Sequence, residues 1–223
     1  MMANLEKMFR QADRYDLSEG LLAYQRYHQL MKALAEKYQF SFPRTIAAFC
    51  ALSPNNDYFG NLRSVVSVMN GINRDVPLAK IGVSTYKHCR DRAHSYLIGA
   101  SKFVSPERGL KTLNFYHNIL DPSDNRYVTI DGHIKATWLD KNLTMKEAIV
   151  KSRKEYNEIS GAIKSLAFKN FMLPHQYQAT IWFTRKRVLT VKYNPQAGLL
   201  FGANDLWRTL HDINDIKPYE DLE

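Results

Sequence analysis

Two residues near the middle of the chain have the types and the spacing to do chemistry. Lys111 stands just inside the turn Ser105-Pro106-Glu107-Arg108-Gly109-Leu110. Asp131 follows twenty positions later, after the apolar run Tyr127-Val128-Thr129-Ile130. A lysine at the mouth of a turn offers a nucleophile or a contact to an anion. A carboxylate at a helix start offers a base, or a negative charge to steady a developing cation. Together they suit covalent or electrostatic work on an anionic, sugar-bearing substrate. Each residue also has a plainer reading: aspartate before a helix is a good N-cap, and lysine at a helix start is a solvated charge. His133, two places after Asp131, reads either as a packing or capping histidine or as a member of the site.

These residues need elements to position them. An amphipathic helix is predicted from Lys111 to about Leu120, followed by the connector Asp121-Pro122-Ser123-Asp124-Asn125 and a second helix opening at Asp131-Gly132-His133. A ten-residue helix is roughly 15 Å long. Asp131 therefore returns beside the Arg108-Gly109 turn only if 127–130 runs back along that helix, buried against Leu113 and Tyr116. Elsewhere, apolar positions at three- and four-residue steps predict helices over 21–38, 61–69, 85–98, 154–168 and 175–187. The segment 45–52 is apolar on nearly every side and reads as a buried central helix. Thr144 is the expected cap of a short helix over 145–149. Residues 1–19 read as a surface helix, with a turn and new start at Leu17-Ser18-Glu19-Gly20, and Asn70-Gly71 as a helix end. Val188-Leu189-Thr190-Val191-Lys192-Tyr193 has the pattern of a short strand, and 205–214 that of a last short helix. The sum is roughly nine helices with little strand, an all-α domain.

The composition sets the outer limits. With 223 residues, 45 % hydrophobic and 24 % charged, the chain can bury a core as one domain spanning 1–223 or as two small lobes sharing a cleft. The net charge of +9 fits either a plain soluble basic protein or a binder of polyanions. Cys50, in the run Ile-Ala-Ala-Phe-Cys-Ala-Leu, and Cys89 are the only cysteines. A four-cysteine iron–sulfur cluster is thereby excluded, no metal or cofactor is expected, and a reducing compartment is indicated. Neither a signal-peptide core nor an apolar run long enough to span a bilayer is present. The expectation is a cytoplasmic monomer with no membrane partner. No P-loop, dinucleotide fingerprint, H-E-x-x-H or nucleophile elbow occurs.

The order of these features resembles the helix-hairpin-helix DNA glycosylase superfamily, best known from endonuclease III and 8-oxoguanine glycosylase, and most of all its phage-encoded relatives. The resemblance covers about 20–187, leaving 188–223 as a C-terminal extension. Gly109-Leu110-Lys111-Thr112 is similar to the Gly-x-Lys end of the family hairpin, and Thr129-Ile130-Asp131-Gly132-His133 to the family's Val-Asp-x-His. Leu52-Ser53-Pro54-Asn55 resembles Leu-Ser-x-Gln, and Tyr177-Gln178-Ala179-Thr180-Ile181-Trp182 stands where the family has its late helix beside the cleft. The resemblance implies two helical lobes around a cleft, DNA as partner, and a base flipped out of the stack. It also implies an essential Asp131 acting in N-glycosidic hydrolysis, with Lys111 as Schiff-base nucleophile or phosphate contact. Some phage relatives are thought instead to join an amino acid or amine to an activated hydroxymethyluracil. That chemistry, and a DNA-binding module without any, are the alternatives.

This chain departs from the family hairpin Leu-Pro-Gly-Val-Gly. Ser105-Pro106-Glu107-Arg108-Gly109 lacks the first glycine and adds a negative charge where backbone N–H groups would approach a phosphate. Arg108, Gly109 and Thr112 remain candidates for that contact. Asn55 and Asn56 read either as turn formers or as the side chains that fill the gap left by a flipped base. Gln178 reads as a core-edge amide or as a side chain facing the base. Trp182, Phe115 and Tyr116 fit ordinary helix stripes. Lys87, Arg90 and Arg92 on one helix, with Arg185, Lys186 and Arg187 at the end of another, either form solvated faces or border one positive opening.

Overall fold

The computed structural model of the chain describes residues 1–102, 109–144, 146–193, 213 and 216–219. Among them, regular structure is entirely helical: α1 (Met2–Phe9), α2 (Arg14–Tyr38), α3 (Phe42–Leu52), α4 (Tyr58–Asn73), α5 (Lys87–Leu97), α6 (Leu110–Leu120), α7 (Gly132–Leu139), α8 (Arg153–Lys169) and α9 (Pro174–Tyr193), with one 3-10 turn at Leu78–Lys80. No helix among these residues is long and apolar enough to cross a membrane. The chain divides into two compact units. The first comprises Met1–Arg26 and Pro106–Asp205, the second Tyr27–Ser105 and Leu206–Glu223.

In the second unit, α3 is the central helix that its apolar run predicts, with every residue from Thr45 to Leu52 buried. It packs on α4 and α5. Arg90 of α5 faces inward and donates to the carbonyls of Ala79 and Ile81 at 3.1 and 3.4 Å. A guanidinium fork is suited to closing off carbonyls that leave a short 3-10 turn. Arg90 is therefore a tie inside the unit and not part of a phosphate track, while Lys87 and Arg92 of the same helix are exposed. The helix expected to stop at Asn70-Gly71 continues to Asn73. Gly71 lies where a Cβ would meet Ile81, so its service is close packing, not termination.

In the first unit, Leu5 of α1, Val128 and Ile130 of the extended connection, Ile134 and Trp138 of α7, Tyr156, Ile159 and Ile163 of α8, and Tyr177 and Ile181 of α9 share one core. The stretch expected to turn at Ser18-Glu19-Gly20 is helical instead. A Cβ on Gly20 would overlap Thr180, so this glycine lets α9 lie against α2. Beside it, the buried Glu19 carboxylate receives the Arg26 guanidinium at 2.6 Å.

Two further expectations change. Residues 188–193 continue α9 and form no strand. The β-branched side chains there express a weak local preference. Against it stands Arg187, whose ion pairs at 2.6 and 3.1 Å to Asp16 and Asp13 hold this part of the helix. Thr144 does make a reciprocal cap with Glu147, its backbone N–H donating to that carboxylate at 2.8 Å. Residues 146–148, however, form a turn and no helix. Met145 and most of the expected helix over 205–214 lie outside the described residues.

Candidate functional site

The site is built from the starts of α6 and α7, the connection between them, and the middle of α9, all within the first unit. Gly109 precedes α6 with φ +144°, a conformation only glycine adopts without strain. This accounts for a glycine at the position just before α6. Thr112 sits close by, with its Oγ1 at 3.7 Å from where a Gly109 Cβ would lie. Lys111, in the first turn, is exposed. Arg108 lies outside the described residues.

After α6 the chain returns along it, as the apolar 127–130 run predicts, with Val128 and Ile130 buried. Polar bonds hold this return. Asn114 accepts from the Val128 N–H at 3.1 Å, and Asn118 donates to the Thr129 hydroxyl at 3.0 Å. The main tether is Tyr156. Its hydroxyl lies 2.7 Å from the Val128 carbonyl and 3.3 Å from that of Leu110, and it accepts the Ile130 N–H at 3.1 Å. One buried phenol thus joins the residue before Lys111 to the residue before Asp131. Burial raises its pKa, which keeps it a donor. The sequence pattern predicts the helix over 154–168 and does not single out Tyr156. The available signal was a tyrosine on an apolar face, whose hydroxyl must find a partner when buried.

Asp131 is the N-cap of α7: its Oδ1 accepts from the Ile134 N–H at 2.9 Å. Its Oδ2 accepts from the Trp182 indole N–H at 2.8 Å. The carboxylate is half-buried and fixed on both oxygens, one by its own helix and one by α9. A Cβ on the next residue, Gly132, would approach the Ala148 Cβ to 2.8 Å, so this helix start is seated tightly on the following loop. Lys135 holds that loop through the Ile149 carbonyl at 2.6 Å and pairs with Glu155 at the start of α8 at 2.9 Å.

Trp182, which fits an ordinary core stripe in sequence, is the hub of the site. Besides its bond to Asp131, it meets the His133 ring edge-on at 6.0 Å and lies under the Lys186 ammonium, 4.3 Å from the ring centroid. Burial pushes the His133 pKa down. The Asp131 charge opposes this, and the positive charges of Lys186, Arg185 and Lys111 add to it. Asp131, His133, Lys111, Arg185 and Lys186 therefore share one electrostatic neighbourhood, although Lys111 and Asp131 start different helices.

The remaining candidates lie elsewhere, and the Arg185 guanidinium is tied to other groups. Gln178 is buried and accepts from the Tyr24 hydroxyl at 2.9 Å, the position of a core amide. Arg185 is buried, with Nη2 at 3.2 Å from the Lys141 carbonyl. Arg187 is held by Asp13, Asp16 and the Gln11 carbonyl. Asn55 and Asn56 belong to the second unit. Asn55 is an exposed turn residue with φ +51°. Asn56 donates to the Leu52 carbonyl at 3.1 Å and accepts from the Ser84 hydroxyl at 2.7 Å. Among the described residues, no group of three or more His, Cys, Asp or Glu side chains is placed to hold a metal ion.

The arrangement offers an immobilised carboxylate next to a neutral imidazole, with lysines to meet an anion. Residues 1–188 match the family described as "Family of unknown function (DUF7178)", and the chain belongs to that family. No curated protein and no solved structure matches it.

Proposed function

We propose that this protein is a DNA-processing enzyme that acts on a flipped, modified base, with Asp131 as its essential carboxylate and N-glycosidic hydrolysis as its reaction. The observation that carries the reading is the double anchoring of Asp131. A plain helix cap needs one oxygen and one local N–H. Here the second oxygen is held by an indole 51 residues away, which fixes the carboxylate's direction while leaving it half-exposed. Pre-set orientation is what makes a charge effective in a transition state.

In this chemistry the bond between the sugar C1′ and the base nitrogen breaks, and the base leaves with the electron pair. Asp131 stabilises the positive charge that grows on the sugar, and water then adds at C1′, its proton ending on the departed base. Lys111 is best read as a phosphate contact. A lysine becomes a good amine nucleophile at neutral pH when desolvated, and Lys111 is exposed. The net charge of +9 favours a polyanionic partner.

The test is incubation with oligonucleotides carrying a panel of modified bases, read by mass spectrometry. Loss of base with the wild type but not with Asp131→Asn is the expected result. Activity that survives this substitution ends the proposal. A mass gain on the base with the glycosidic bond intact replaces hydrolysis by amine or amino-acid transfer on the same carboxylate. Borohydride trapping that vanishes in Lys111→Arg would restore Lys111 as nucleophile.

A further inference from the structure

At the corner between α8 and α9, the first unit carries two exposed phenylalanines that its fold does not need. α8 closes by a left-handed turn in which the Phe171 N–H bonds to the Phe168 carbonyl at 3.2 Å and the Met172 N–H to the Ala167 carbonyl at 3.0 Å. The left-handed place, normally glycine, is held by Phe171 with φ +55°. A bulky L-residue is strained there. Gln39, Asp75, Gly99 and Asp140 take the same left-handed place at the ends of other helices, and each is polar or lacks a side chain. Phe171 gains no packing in exchange: it is 99 % exposed, and Phe168, three residues earlier, is 83 % exposed. Met172, the next residue, is the one that packs on the core.

The surroundings specify a partner. Lys164 stands one helical turn before Phe168 on α8 and the exposed Lys169 directly follows it, and 159–175 contains no acidic residue. The patch therefore presents flat apolar faces beside positive charge. A nucleic-acid strand alternates flat bases with phosphates on the same scale, and stacking on aromatic side chains is how unpaired bases are held without sequence preference. Two rings and two lysines give little apolar area for holding a membrane, where one acyl chain alone binds only marginally.

We propose that Phe168 and Phe171 form a stacking platform for unpaired bases of a nucleic-acid strand, with Lys164 and Lys169 meeting its phosphates. The inference shares a nucleic-acid partner with the proposed function and does not rest on the chemistry at Asp131. Its test is equilibrium binding of a labelled, unmodified thymidine oligonucleotide, single-stranded and as duplex, together with thermal melting. Phe171→Gly relieves the left-handed strain, so Tm is expected to rise by about 2 °C, while single-strand affinity falls about tenfold, the scale of one lost stack. Phe168→Ala weakens binding similarly. The proposal is overturned if the wild type does not bind the single strand or binds duplex equally well. It is overturned too if Phe171→Gly raises Tm and keeps full affinity, or if the same variants lose binding to phosphatidylserine vesicles instead.

Discussion

Asp57 and Asp131 do the same local task in different units. Each precedes a helix, and each accepts from the backbone N–H three residues on, Asp57 from Gly60 at 2.6 Å and Asp131 from Ile134 at 2.9 Å. Asp57 does this from an exposed position at the start of α4. Asp131 is half-buried, and its other oxygen takes the Trp182 indole. A cap is therefore the beginning of an account of Asp131 and a sufficient account of Asp57. The local pattern is shared, and the distant donor separates the two.

The largest expected effect tests that separation directly. Asparagine caps a helix about as well as aspartate, so Asp57→Asn changes Tm little, while Asp131→Asn keeps its cap but sets an amide nitrogen against the Trp182 indole N–H and loses about 1.5 kcal/mol of stability, the scale of one charge-assisted hydrogen bond. Only Asp131→Asn removes the negative charge at the site, and it lowers base processing by about a thousandfold, the scale of one lost electrostatic partner. Equal activity of the two variants would reduce Asp131 to a second Asp57.

Next in size is Tyr156→Phe. It leaves the Ile130 N–H and the Val128 carbonyl without their hydroxyl in a buried place. The expected loss is about 2 kcal/mol, seen as a Tm lower by roughly 4–8 °C. Activity should fall beyond what unfolding explains, because the starts of α6 and α7 lose their shared tether. A stable variant with full activity would show that the return segment orients Asp131 without it.

Trp182→Phe keeps most of the apolar volume and removes the indole donor. Asp131 then caps α7 as Asp57 caps α4. The expected result is a roughly tenfold drop in kcat with little change in KM, since one charge-assisted hydrogen bond of about 1.5 kcal/mol is lost.

The smallest effect is on pH dependence. Burial lowers the pKa of His133 and that of His175, in the second case against the opposing effect of the Pro122 carbonyl, 2.8 Å from its ring nitrogen, and of Asp124. The folded state thus binds protons less readily than the unfolded chain, whose histidines titrate near 6.5. The stability these neutral rings contribute is full above that pH and is lost as pH falls through the lower folded values. Chemical denaturation between pH 7.5 and 5 should show declining stability, with a shallower decline in His133→Gln. An unchanged slope would remove His133 from the buried side of the site.

Much of the scaffold was legible because it follows from local chemistry. The all-apolar 45–52 run reads as a buried helix, and an aspartate after an apolar run reads as a cap at the start of α7. The apolar 127–130 run likewise reads as a return along α6. Where reading failed, a distant partner overrode a local preference. Gly20 looks like a turn but is the contact of α2 with Thr180. Residues 188–193 look like a strand but are held in α9 through Arg187 and its two aspartates. Arg90 and Arg185 look like surface cations, yet both side chains are buried and their guanidinium groups are spent on backbone carbonyls.

By itself, then, the sequence determined the helical class, the apolar faces, the charge, and the two residues with reactive groups. Those properties depend on side-chain type and on spacing along one element. Only the tertiary structure decided that one phenol would tie Leu110 to Ile130, and that Trp182 would leave its apolar stripe to hold Asp131. It also decided that Arg187 would be held by Asp13 and Asp16, while Lys186 lies over the Trp182 ring. A hydrogen bond or ion pair between residues 51 or 171 positions apart leaves no periodic trace in the chain, because its geometry is set by how whole helices pack.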